Sequence, residues 1–165
     1  MPKVLLVLGS NSDLPLFGDA LKLWPALGIE VQVEISSAHR SPQRTLELAT
    51  GAPGQGIEVI IAGAGGAAHL AGVIAAHTIL PVIGVPINVP PFNGFDSLLA
   101  MAQMPKGVPV ATLAAGEFGA TNSAILSAQI LALKYPQIQG KLTRLKEIME
   151  QNVAFKIDAV LAGLG

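Results

Sequence analysis

Three short stretches gather the side chains able to do chemistry: "GSNSD" (9–13), "SSAHRSP" (36–42) and "GAGGAAH" (63–69). The middle one places Ser36, Ser37, His39 and Arg40 within five positions. Histidine is the commonest general acid–base, because its proton moves near neutral pH. Arginine presents a planar fork that fits phosphate or carboxylate. The competing reading is a capping serine beside two exposed polar residues. In the first stretch, Ser10 and Ser12 lie just before a helix, where free backbone N–H groups favour an anion such as phosphate. Asp13 suits the hydroxyls of a sugar; a plain Ser/Asp helix cap explains the same residues.

The third stretch fits G-x-G-x-x-A, close to a dinucleotide fingerprint. That fingerprint also wants an acidic residue about 20 positions on, at the end of the next strand. The nearest acid, Asp96, lies beyond a Pro-rich loop, so a nicotinamide cofactor is discounted. Gly63, Gly65, Gly66 and Ala67 are left as a turn where a ligand meets backbone amides. His69, one turn inside the following helix, is either a ligand contact or a core histidine. His77 is eight residues further on, forms no i, i+4 pair with His69, and takes no role. No other His/Asp/Glu group has metal-ligand spacing, so no metal site is expected.

Short apolar runs alternating with helical patterns position these stretches. Strands are expected at 3–9, 29–35, 57–63, 81–86 and 108–114. Helices are expected at 14–28, 41–52 (Ser41 as N-cap, Pro42 at its first position), 67–78, 96–104 (Asp96 as N-cap) and 121–135. A Pro- and Gly-rich loop spans 87–95. Strand–helix alternation predicts an α/β fold: three layers, flavodoxin-like and doubly wound, with a five-stranded parallel sheet. Ligands of such sheets sit beyond the carboxyl ends of the strands, at the switch point. The three stretches follow strands one, two and three, so they should share one edge.

One domain is expected over 1–165, with an α/β core to about 136 and an extra C-terminal helix over about 137–165. Leu142, Leu145, Ile148, Met149, Val153, Ile157, Val160, Leu161 and Leu164 form its apolar stripe. It packs either on its own sheet or on a neighbouring subunit, and the composition favours the neighbour. The chain is 51% hydrophobic and only 13% charged, too little charge to cover a small domain, so a homo-oligomer is expected. Net charge is −1 with no basic cluster, which argues against nucleic acid. Without cysteine there is no disulfide or thiolate chemistry. Residues 59–95 hold no Asp, Glu, Lys or Arg, but Gly63, Gly65, Gly66, Gly72, Pro81 and Pro86 divide them, so no membrane span is expected. The apolar N-terminal run is too short for a good signal peptide, and the cytosol is the default compartment.

At these same residues the chain resembles the N5-carboxyaminoimidazole ribonucleotide mutases of bacterial purine biosynthesis, in the phosphoribosylaminoimidazole carboxylase catalytic subunit family. The likeness runs over roughly 4–134, through "GSNSD", "SSAHRSP", "IAGAGGAAHL", "LPVIGVP", "NGFDSLLAMAQMPKGVPVATL" and "NSAILSAQIL". The glycine stretch separates this class from related enzymes that use carbon dioxide directly. The resemblance implies an isomerase, with no cofactor or metal, that moves a carboxylate from the exocyclic nitrogen to ring carbon C4 through bound carbon dioxide. It implies His39 as general acid–base with His69 beside the reacting groups. Ser10, Ser12, Ser37 and Arg40 would hold the phosphate and Asp13 the ribose, in a homo-octamer. Asn11, "NVPPFNG" and Glu117 depart from the usual pattern, outside the acid–base and phosphate motifs. Direct carboxylation and non-catalytic nucleotide binding are the alternatives.

Overall fold

The computed structural model describes residues 1–151 and 155–165. Five strands, β1 (Lys3–Leu8), β2 (Glu30–Ile35), β3 (Ile57–Gly65), β4 (Val82–Ile87) and β5 (Ala111–Thr112), form one parallel sheet in the order β2-β1-β3-β4-β5. This is the expected flavodoxin-like order, with the switch point between β1 and β3.

Both faces of the sheet are buried, so its central strands are nearly continuous apolar runs. Along β1, Val4, Leu6 and Leu8 join one cluster with Val59, Ile61, Phe17 and Trp24. Leu5 and Val7 join the opposite one with Ile60, Ala62, Leu70 and Ile74. The first face is covered by α1 (Gly18–Ala26) and α5 (Glu117–Ala132). The second is covered by α2 (Pro42–Gly51), α3 (Leu70–Ala75) and α4 (Phe95–Ala102). Trp24, fully buried, donates its ring N–H to Ser127 Oγ at 2.9 Å, which ties α1 to α5.

Several elements differ from their expected bounds. The helix expected at 14–28 is a 3-10 segment, Asn11–Phe17, followed by α1. The helix expected at 67–78 shrinks to α3, because Ala68 holds φ +46° just before it. Gly94 takes the N-cap position of α4, and Asp96 lies in the first turn instead. β5 keeps two residues, and α5 begins at Glu117 rather than 121.

The tail is the main correction. In place of one helix over about 137–165 there are two, α6 (Pro136–Gln151) and α7 (Ile157–Leu164). Of its stripe, Leu145, Ile148, Val160 and Leu164 are buried in the chain's own core; Val153 lies outside the described residues. The physical reason is α5, which is apolar around its circumference and needs cover on the side away from the sheet. α6 supplies that cover, and α7 packs on α6 and α1. Lys141 Nζ donates to Ala26 O at 2.6 Å, and Arg144 Nε to Gly163 O at 3.3 Å.

Candidate active site

Parallel pairing brings the ends of β1, β2 and β3 level. Ser36 N–H donates to Leu8 O at 2.9 Å, and Gly9 N–H to Gly63 O at 3.0 Å. The three polar stretches therefore leave the sheet side by side around a cavity of about 530 Å³. That is room for a nucleotide-sized ligand.

The first loop packs its polar groups on one another. Ser10 and Ser12 hydroxyls are 2.8 Å apart, and Ser12 Oγ donates to Asp13 Oδ1 at 3.2 Å. Ser10 Oγ also accepts the Ser12 N–H at 3.3 Å, so the capping reading of this loop holds too. Burial pushes the Asp13 carboxyl above its ordinary value, against the hydrogen bonds from Ser12 and Ser10 that pull it down.

The second loop is one tight turn. Ser41 N–H donates to Ser37 O at 2.8 Å, and Arg40 N–H to Ser37 Oγ at 3.2 Å. Ser41 makes no side-chain bond to the first turn of α2. Its hydroxyl closes the loop instead, accepting from Ser37 N–H at 3.0 Å and donating to Ser37 O at 3.1 Å. Arg40 reaches toward the first loop, with Nη2 3.5 Å from Gly9 O. Among the described residues it has no ion-pair partner, so its charge is free for an anionic ligand.

The third loop brings the second histidine. His69 stands at the N-cap position of α3, exposed rather than inside the helix, which removes the core-histidine reading. Its Nδ1 is 2.6 Å from His39 Nε2, with the rings nearly perpendicular at 82°. One ring donates and the other accepts, so a single proton lies between them and at least one imidazole can be neutral. The pair sits at the cavity wall, next to the apolar Ala64, Ala68, Leu70 and Val89.

Of the residues expected from sequence, Ser10, Ser12, Asp13, Ser37, His39, Arg40, Gly65, Gly66 and His69 line this cavity. Gly63 and Ala67 do not. Gly63 is buried within β3, where a Cβ would lie 2.8 Å from Leu8 Cδ2 and 3.1 Å from Phe17 Cζ, so its small size serves packing. Ala67 is exposed at the tip of the turn. Gly65 does serve the site, since a Cβ there would lie 2.5 Å from Val89 Cγ2. Val89 itself escaped the sequence reading, which treated 87–95 only as a connection. The signal was available: the loop follows the carboxyl end of a fourth strand, where ligands gather. Among the described residues, no group of three or more His, Asp or Glu side chains could hold a metal ion. Likewise, no helix among them is long and apolar enough to cross a membrane.

Comparison with known proteins follows this geometry closely. Residues 3–152 match the model of a family described as AIR carboxylase. The chain is 52% identical to the N5-carboxyaminoimidazole ribonucleotide mutase of Pyrococcus abyssi, over 92% of this chain and 86% of the relative. It is 51% identical to the mutase of that name from Thermotoga maritima, over 94% and 90%. The Mycobacterium tuberculosis mutase is 45% identical over 99% and 92%. Among solved structures, Treponema denticola PurE shares the fold, with a TM-score of 0.81 at 23% identity over 93% of this chain and 94% of that one.

Proposed function

This chain belongs to the AIR carboxylase family, and from that premise we propose that it is an isomerase of purine biosynthesis. It converts N5-carboxyaminoimidazole ribonucleotide to 4-carboxy-5-aminoimidazole ribonucleotide. The observation that carries the assignment is the His39–His69 contact of 2.6 Å, set in the same cavity as Ser10, Ser12, Asp13, Ser37 and Arg40.

The chemistry asks little of a protein. The bond between the exocyclic nitrogen and its carboxylate breaks, carbon dioxide departs, and the electron pair stays on nitrogen. His39 gives that nitrogen a proton. The enamine carbon C4 then attacks the retained carbon dioxide, a carbon–carbon bond forms, and His39 takes the C4 proton back. Protons and electrons balance without a cofactor, and His39 ends as it began. His69, bonded to His39, holds the ring's orientation and shares its proton. Carbon dioxide carries no charge, so an apolar wall of Ala64, Ala68, Leu70 and Val89 retains it better than polar groups would. Ser10, Ser12, Ser37 and Arg40 bind the phosphate, and Asp13 the ribose hydroxyls.

Assembly into a homo-octamer and a cytoplasmic location belong to the same proposal. Exposed Phe92, on the loop that carries Val89, and exposed Phe95, at the start of α4, support the assembly, as does exposed Phe118. The direct test incubates the protein with the N-carboxylated ribonucleotide and follows the C-carboxylated product. Product formed only from the uncarboxylated amine and bicarbonate would overturn the assignment in favour of direct carboxylation.

A further inference from the structure

Beneath the His39 turn lie polar side chains that never reach the cavity. Ser36 and Thr45 are 2% and 0% exposed, in a region otherwise packed with aliphatic groups. Buried hydroxyls are costly unless bonded, and these are bonded to each other. Ser36 Oγ lies 2.8 Å from Thr45 Oγ1, and Thr45 Oγ1 donates to Ser41 O at 3.3 Å. Ser41 Oγ donates to Ser37 O and accepts from Ser37 N–H. Ser36 Oγ also lies 3.3 Å from Ser41 Oγ, so the three hydroxyls form one connected set that ends on the carbonyls of Ser41 and Ser37.

We propose that Ser36, Thr45 and Ser41 form a hydroxyl relay that fixes the 37–41 turn, making Thr45 a positioning residue for His39 and Arg40. The relay joins side chains of three elements: the end of β2, the turn, and the first turns of α2. Apolar contacts at these positions would fill the space without specifying a register, whereas directed hydrogen bonds set one. His39 needs that register, because its ring meets His69 on a different loop, 30 residues away, at 2.6 Å. Misplacement by a fraction of an ångström loosens such a contact.

The inference rests on the isomerase assignment, and its test has two arms so that the two can fail separately. Thr45→Val keeps the branched shape and removes the hydroxyl. Measured well below its melting temperature, kcat should fall about tenfold, and Thr45→Ser, which keeps the hydroxyl, should return to within twofold of the parent. The chain has three histidines, so ring signals of 13C-histidine-labelled protein supply a readout independent of turnover. The His39–His69 cross-peak should vanish in Thr45→Val while the His77 signals stay in place. An inactive parent would refute the reaction, and the NMR arm would still decide the relay. If Thr45→Val does not fold, Ser36→Ala, which deletes one hydroxyl of the relay, replaces it under the same criteria. An unchanged cross-peak, turnover within twofold of an active parent, or Thr45→Ser as impaired as Thr45→Val would overturn the relay.

Discussion

The two ends of the sheet treat charge in opposite ways. At the amino ends, carboxylates are closed off. Glu30 meets Lys3 at 3.2 Å, and Glu58 receives both Lys134 Nζ at 2.7 Å and the Tyr135 hydroxyl at 2.6 Å. Burial would push the Glu58 carboxyl up, but these bonds and the Lys134 charge outweigh it and hold the group below its ordinary value. At the carboxyl ends, Asp13 has the Ser12 hydroxyl and a Ser10 backbone group as partners and no cation among the described residues, and its carboxyl is held above the ordinary value by burial. Arg40, in the lining of the same cavity, is not spent on it. One end uses its charges to join α5 to β3; the other keeps them unspent, which suits a ligand that brings its own phosphate and hydroxyls.

The sharpest way to break this contrast is His39→Asn. Loss of a general acid–base should lower kcat by about a thousandfold, within the usual range for such groups, while calorimetry still detects the ribonucleotide. Turnover within tenfold of the parent would remove His39 from its role. Arg40→Ala comes next. Losing a charge-assisted phosphate contact should raise KM by about 10- to 100-fold with kcat little changed; a change confined to kcat would contradict phosphate binding.

Asp13→Asn probes the same end more gently. Ribonucleotide affinity should drop about tenfold, since a charged acceptor is lost. Stability should move the other way. A carboxyl raised in the fold favours folding below its ordinary value and loses that benefit as pH rises through the raised one. The ionised form at neutral pH is therefore a cost that asparagine removes, and the melting temperature should hold or rise. A clear fall would show that Asp13 is built for stability after all.

Glu58→Gln should give the smallest effect: turnover unchanged, and a melting temperature about 2 °C lower at neutral pH, less in high salt. Because the Glu58 carboxyl is lowered in the fold, its contribution is present above the ordinary glutamate value and lost as pH falls through the folded one. The gap between Glu58→Gln and the parent should close across that acidic window. A gap that persists unchanged below it would mean the lysine and tyrosine bonds are not what Glu58 contributes.

Much of this contrast was legible in the chain. "KVLLVL", "EVQVEI" and "IEVIIAGAG" announce strands, and three polar loops after three parallel strands must meet at one edge. The packing role of Gly63 was not legible because a glycine needed beside Phe17 looks, in sequence, like one needed for a ligand. Val89 was missed because a residue that approaches from a fourth loop carries no local mark. The packing of the tail was not legible because an apolar stripe shows that a helix needs a partner, not which one, and within the chain α5 and α1 pack against it.

By itself, the sequence determined the layer order, the shared edge and the kinds of side chain placed there, because periodicity and residue chemistry are local properties. Only the tertiary structure decided that His39 and His69 touch at 2.6 Å, that Arg40 has no acidic partner among the described residues, and that the Ser36 and Thr45 hydroxyls meet beneath the turn. Those facts depend on register between distant segments, set to within an ångström by packing that no single stretch contains.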